Sequence, residues 1–410
     1  MADVGEVQAG RTRYSARKDE ILATATEVLN EQGSRGFTLA GVAKRLDLNP
    51  VSLTYYFKRR EDLAIACLLA TIDRYHGFLA IAEGAGEPRQ QVTAFFRLLL
   101  EEHRLIRLGQ QPALASFFGL RGFGQHSGTP LMGAYFQMFD RLGRLLKTGS
   151  KSALEQRRQR LFARLVIAQV SWLPTWLEHY APEDHARVAD SISDMLINGL
   201  ATPGRTWRPV APMVLGPSVI DTGEISRERF LVAATDLINV QGYRGASIDR
   251  ISARLNVTKG SFYYYNSDKD DLVVACFERT LDILGEAQRR AEGRDGWERL
   301  CSAAVSLAAY QASGERGRML RNFVLSALTP QLRQPISAGF QKISDGFAAV
   351  ISQGVADGSI RSVDPLIASQ MIMTMANSAA YLDVFSAGFQ ARDIVAHYAR
   401  PALMGFLDRV

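Results

Sequence analysis

Apolar residues recur along this chain at the spacing of one helix face, while alternating β-branched runs bounded by turns are scarce. The pattern predicts an all-α fold. Ile21, Leu22, Ala25, Val28 and Leu29 form one such face, which ends at Gly33 and Gly36, where glycine can take the left-handed conformation that closes a helix. Thr38 then offers an N-cap hydroxyl to a short second helix with Leu39, Val42, Ala43 and Leu46 inward. A tight turn through Asp47, Leu48 and Asn49 leads to a third helix, Pro50 to Tyr56, with proline in the first turn, where its missing donor costs nothing. A longer fourth helix starts near Glu61.

The same grammar returns 209 residues later. Glu27–Cys67 aligns without a gap to Asp236–Cys276, with 14 of 41 positions identical, Gly33, Arg45, Tyr55, Tyr56 and Cys67 among them. Phe230, Leu231, Ala234, Leu237 and Ile238 repeat the first face, and Gly242 with Gly245 repeat its stop. Ser247 repeats the cap, Asn256-Val257-Thr258 the turn, and Lys259 to Tyr265 the third helix. An offset of half the chain marks a tandem duplication and not a solenoid, whose periods are far shorter. Residues 201–224 hold four of the 14 prolines, which remove backbone donors that helix or sheet would use, so this stretch reads as the linker. The expected division is therefore 11–67 (first head), 68–200 (first helical domain), 201–224 (linker), 225–276 (second head) and 277–410 (second helical domain).

Two short helices joined by a tight turn after a longer one, the last rich in hydroxyl, aromatic and basic residues, describe a helix-turn-helix. Its third helix fits the major groove, where short side chains reach base edges while flanking cations and backbone donors hold phosphates. In the first copy the candidate contacts are Asn49, Pro50, Val51, Ser52, Thr54, Tyr55 and Tyr56 on or before the reader, flanked by Arg17, Lys18, Arg35, Thr38, Lys58 and Arg59. In the second they are Thr258, Lys259, Gly260, Ser261, Tyr263, Tyr264 and Tyr265, with Arg244 and Ser247 before them. The tyrosines also suit a core, and the basic clusters Arg11, Arg13, Arg17, Lys18 and Arg227, Arg229 also suit a solvated face.

At these residues the sequence resembles the TetR family of transcriptional regulators. The second copy matches in Gly242-Tyr243, Ser247-Ile248, Val257 to Tyr265 and Lys269-Asp270-Asp271-Leu272; the first in Thr38-Leu39, Val42-Ala43, Leu48 to Phe57 and Glu61-Asp62-Leu63. The copies also depart from the pattern. Arg59 stands where the family places the cap of helix four, a position kept by Asp268, so the first copy trades a cap for positive charge. Pro50-Val51 replaces the pair kept as Lys259-Gly260, and Asn266 replaces the phenylalanine kept as Phe57, so the two readers are expected to see different half-sites. The resemblance implies an effector-binding helical domain behind each head, whose last helices make a two-fold interface. The candidates for these are Leu161 to Tyr180 with His185 to Leu200, and Pro365 to Phe385 with Asp393 to Asp408.

Composition adds little that is specific. At 410 residues with 47% hydrophobic and 22% charged residues the chain suits two or three folded domains. Its +6 net charge suits a polyanionic partner, and ten basic against five acidic residues in 11–60 give the first head the stronger electrostatic footprint. No stretch such as 161–173, broken by Arg164 and Gln169, reaches the roughly 20 apolar residues of a membrane span, and residues 1–20 lack a secretory signal, so a cytoplasmic protein is expected. Cys67, Cys276 and Cys301 read as reduced core thiols. His179, Glu183, Asp184 and His185 read as a solvated interhelix loop and not a metal site. No catalytic motif appears, and neither a cofactor nor a metal is expected.

Phe117, Tyr135, Phe139, Trp172 and Trp176 in the first half, and Met319, Phe323, Met371, Met375 and Tyr381 in the second, fit the walls of effector pockets or plain core. The expected protein is a ligand-responsive transcriptional repressor of two fused units on double-stranded operator DNA. Its halves would pair within one chain as a pseudo-dimer, spacing the readers by about 34 to 36 Å. The alternatives are a homodimer of chains and a ligand-sensing adaptor that binds a protein partner.

Overall fold

A computed structural model of the chain describes residues 3–117, 130–147, 152–208, 210–217, 226–265, 267–321, 324–325, 328–380, 382 and 393–407; side chains at 3–13, 34–35, 244, 259, 261 and 265 lie outside the described set. Caps and glycines set the helix ends where the sequence predicts them. Helix α1 (Asp3–Gly36) is broken at Gly33, whose φ of 64° is left-handed. Its counterpart α9 (Arg227–Gln241) ends at Gly242, φ 74°. Thr38 accepts from the Gly41 amide to start α2 (Leu39–Arg45), and Ser247 accepts from the Arg250 amide to start α10 (Ile248–Leu255). Asn49 accepts from the Val51 amide to start α3 (Pro50–Tyr56), the counterpart of α11 (Lys259–Tyr265). In both copies the turn before the reader passes through a left-handed residue, Asp47 at φ 53° and Asn256 at φ 55°, residue types that tolerate it.

Behind the first head follow α4 (Arg60–Glu83), α5 (Pro88–Arg107), α6 (Pro130–Arg144), α7 (Ala153–Leu177) and α8 (His185–Asn198). Behind the second follow α12 (Lys269–Arg290), α13 (Gly296–Ser313), α14 (Pro330–Ala356), α15 (Pro365–Ser378) and, after a π-turn at Val395–Ala399, α16 (Arg400–Met404). The only β pairing among the described residues is one antiparallel bridge, Ala201 with Ile360. Contrary to the expectation that no stretch is apolar enough for a span, helix α4 contains an 18-residue window of mean hydropathy 1.3, long and apolar enough to cross a membrane. Leu63, Leu68, Ile72 and Leu79 of that helix are fully buried in the fold.

Compactness does not follow the repeat. Met1–Gly77 with Leu105–Met138 forms one unit, and Phe78–Arg104 with Phe139–Val410 forms the other. Within the second unit, α15 packs on α13 and α14 of its own half and also on α7 and α8 of the first half. Gln169 donates to the Met371 carbonyl at 3.2 Å and Trp172 donates to Gln370 at 3.1 Å. The end of α8 crosses the chain's last turn, with backbone bonds from Leu200 to the Leu403 carbonyl (2.8 Å) and from Phe406 to the Leu196 carbonyl (2.9 Å). Gly199 and Gly405 allow this crossing, because a Cβ on either would collide with the backbone of the other segment.

The described part of the proline-rich stretch, 201–208 and 210–217, is a docked strap. Leu215 is fully buried, Met213 donates to Ser306 at 2.9 Å, and Gly216 donates to Glu286 at 2.8 Å. Arg205 pairs with Asp295 at 2.5 Å and Trp207 lies edge-on to Trp297 at 6.5 Å. His185, expected in a solvated loop, is instead buried at the start of α8, its ring 3.3 Å from the Leu100 carbonyl. The three cysteines are free and buried, and burial pushes the thiols of Cys67 and Cys276 up to about 11.

Candidate nucleic-acid interface

Among the described side chains, each reader is anchored by one buried residue. Leu53 in α3 and Phe262 in α11 are fully buried, and the Phe262 ring packs 6.4 Å from Phe230 of α9. Outward in the first head stand Pro50, Val51, Ser52, Thr54 and Tyr55, with Lys58 and Arg59 just beyond. Tyr55 is 76% exposed and lies edge-on to Tyr56 and Tyr14, which stack on each other, in a three-ring cluster of centroid distances 5.0 to 6.1 Å. Tyr14 was not among the predicted contacts, since nothing in the repeat marks it. Outward in the second head stand Thr258, Gly260, Tyr263 and Tyr264, the last 82% exposed. Tyr55, Tyr263 and Tyr264 are thus all solvent-exposed. The side chains of Arg35, Arg244, Lys259, Ser261 and Tyr265 lie outside the described residues, as do those of Arg11 and Arg13.

The charges are partly spoken for. Arg17 pairs with Glu20 at 2.5 Å, and Arg45 bridges Glu31 at 2.6 Å and Glu27 at 3.5 Å, a contact repeated by Arg254 and Asp236 at 3.3 Å. Arg59 donates twice to Asp62, at 2.8 and 3.2 Å, and Arg60 donates to Glu61 at 2.7 Å; these bonds hold both carboxyls below their usual range. Arg59, expected to lean towards phosphate, therefore spends one side of its guanidinium on the start of α4. In the second copy Asp268 does cap α12, accepting from the Asp271 amide at 2.9 Å. Lys44 and Lys58 are exposed and make no ion pair among the described residues.

Behind each head lies a clamp that spacing had not revealed. Asn30 of α1 donates to the Leu114 carbonyl and accepts from the Ser116 amide, both at 2.8 Å, while Thr71 of α4 accepts from the Ala115 amide at 2.8 Å. In the second half Asn239 donates to Met319 (3.0 Å) and accepts from Arg321 (2.9 Å), while Thr280 accepts from Leu320 (2.9 Å). The same two side chains thus tie head and helix four to the segment after the next helix. The second copy adds Arg279, whose guanidinium is buried and bonds Glu228 (2.5 Å), the Tyr310 hydroxyl (2.8 Å) and the carbonyls of Arg316 and Arg318. Ala70 occupies the equivalent place in the first.

Residues 21–67 and 230–276 both match the bacterial regulatory proteins of the tetR family, and residues 293–381 match the Tetracyclin repressor-like C-terminal domain. The chain belongs to the TetR family, as a tandem fusion of two units. Among TetR-family relatives, the HTH-type transcriptional regulator HbdR of Aromatoleum sp. (strain CIB) is 27% identical over 184 residues, 43% of this chain and 79% of its own. The fatty acid metabolism regulator protein of Bacillus subtilis (strain 168) is 24% identical over 146 residues, 34% of this chain and 74% of its own. A solved structure of FadR from Bacillus subtilis in complex with stearoyl-CoA is 18% identical, covering 44% of this chain and 99% of that one at a TM-score of 0.34. These relatives are DNA-binding regulators and not enzymes.

The residues expected around effectors scatter. Phe117 meets Tyr135 at 5.7 Å and Tyr75 at 5.6 Å, and Phe139 is buried. Trp176 is buried beside Tyr180 at 5.8 Å. Trp172 faces Gln370 of α15, and Met371 and Met375 border a crevice of only about 10 Å³ with Leu165, Gln169, Met195 and Leu196 of the first half. Helix α15 is apolar on several sides, and this side packs on α7 and α8. Met319 is buried with its backbone in the clamp, and Phe323 and Tyr381 lie outside the described residues. A groove of about 310 Å³ lies instead beneath the strap, lined by Arg205, Arg208, Arg294, Trp297, Glu298 and Cys301 among others.

Proposed function

We propose that this TetR-family chain is a one-component repressor in the cytoplasm that spans one operator with two working, unlike heads. Supporting this above all, the two heads keep the same anchored core and the same clamp while presenting different reader faces. The division 11–67, 68–200, 201–224, 225–276 and 277–410 assigns a head and a sensing domain to each half, joined by the strap. The halves act as an intramolecular pseudo-dimer through α7, α8 and α15, so one chain does the work of a pair. A small effector bound in a helical domain shifts the equilibrium towards heads that no longer match the groove, by its differential affinity for the two states. A fatty acid or its thioester is the first class to try, since one relative is a fatty acid metabolism regulator.

The test is selection of genomic fragments by the purified chain at modest salt. An imperfect palindrome with unlike half-sites is expected. A symmetric palindrome would assign the work to one type of head in a dimer of chains, and no enrichment would leave the chain a protein-binding adaptor.

A further inference from the structure

Because Leu53 and Phe262 are the buried anchors of their readers, positions 51, 54 and 55 of α3 correspond to 260, 263 and 264 of α11. Tyrosine is common to the last of these, and the other two differ in chemistry: Val51 and Thr54 against Gly260 and Tyr263. Val51 is 73% exposed. A lone exposed valine would mean little. Thr54, however, sits three residues on, on the same helix face, and its hydroxyl donates to the Val51 carbonyl at 2.6 Å. Its polar atom is thereby turned back on the helix, as threonine does when it bonds a preceding carbonyl, and its methyl is the group left to present. The first reader thus carries a patch of methyl groups beside Tyr55.

Base edges in the major groove offer one apolar group, the C5 methyl of thymine, and apolar side chains recognise it by contact. Gly260, in contrast, presents no side chain, and neither backbone nor packing demands it: its φ is not positive, and a Cβ there would meet Thr258 at an ordinary 3.5 Å. A glycine without a folding reason, next to an exposed phenol, suits close backbone approach and polar contact.

We infer that the first head selects thymine at the base pairs under Val51 and Thr54, and that the second head makes no such demand at the equivalent positions. This rests on the proposed role of α3 and α11 as base readers. The two half-sites then differ in kind, one fixed in part by methyl contacts.

The experiment takes a fragment recovered by selection and replaces its thymines one at a time with deoxyuridine, which removes only the C5 methyl. Affinity of the full chain is read by fluorescence anisotropy. One or two substitutions, confined to one half-site, should weaken binding by about three- to tenfold, the scale of a lost methyl contact or two. The double variant Val51→Ala with Thr54→Ser should bind thymine and uracil duplexes alike at those positions. Both side chains are exposed, so its thermal melt should match that of the unaltered protein, and the uracil scan of the unaltered protein stands by itself if it does not. Indifference to every uracil, a half-site without thymine, or sensitivity that persists in the double variant would overturn the inference while leaving DNA reading intact. A chain that binds no fragment would overturn the proposed function and this inference with it.

Discussion

Arg279 shows how much a single residue can hold. Its side chain is 4% exposed, and the Glu228 carboxylate, the Tyr310 hydroxyl and two loop carbonyls all bond to it. Arg279→Leu leaves a largely buried carboxylate without its cation, and chemical denaturation should show a loss of about 3–5 kcal/mol. A loss well under 1 kcal/mol would mean that water replaces the guanidinium freely. Asn239→Ala and Asn30→Ala each strip a clamp of one donor and one acceptor, and a loss of about 1–3 kcal/mol is expected for either. Equal losses would mark the clamp as shared equipment of both halves. None of this is legible in the chain: Asn30 is identical in the repeat, yet its partners lie 84 and 86 residues away in segments without periodicity. The caps were legible, because Thr38, Ser247, Asn49 and Asp268 bond amides two or three residues away.

At the scale of elements, local rules were enough for the helices of both heads and not enough for what packs on what. Prolines in 201–224 report that the segment is neither helix nor strand, and they say nothing of the surface on which Leu215 and Trp207 dock. Helix α15 has buried residues on nearly every face, so periodicity cannot tell Met371 and Met375 of an interhelix seam from residues around a pocket. The start of α13, beside the strap, carries its own pH dependence. Bonds from Arg294, with Arg208 nearby, hold the Glu298 carboxyl down to about 2. A depressed folded value adds stability that is complete above the unfolded value, about 4.3, and is lost as pH falls towards 2. The difference in melting temperature between the unaltered chain and Glu298→Gln should therefore be constant above about pH 5 and shrink steadily below about pH 4. A difference that ignores pH would show that the carboxylate's charge contributes nothing there.

For the molecule as a whole, the duplicated halves agree at many of the positions that shape the heads and differ on the exposed faces of the readers. Gly33 with Gly242, Asp47 with Asn256 and Thr71 with Thr280 share conformation or bonding. Val51 with Gly260 and Arg59 with Asp268 do not share chemistry. The contact of α15 with α7 and α8 joins the two halves inside one chain, and on the proposed reading it replaces a contact between two copies. Whether one chain spans one operator can be read by native mass spectrometry of the chain on a duplex carrying the selected site. One 45.2 kDa chain per duplex is the expected mass increment. Two chains per duplex at micromolar protein would contradict it.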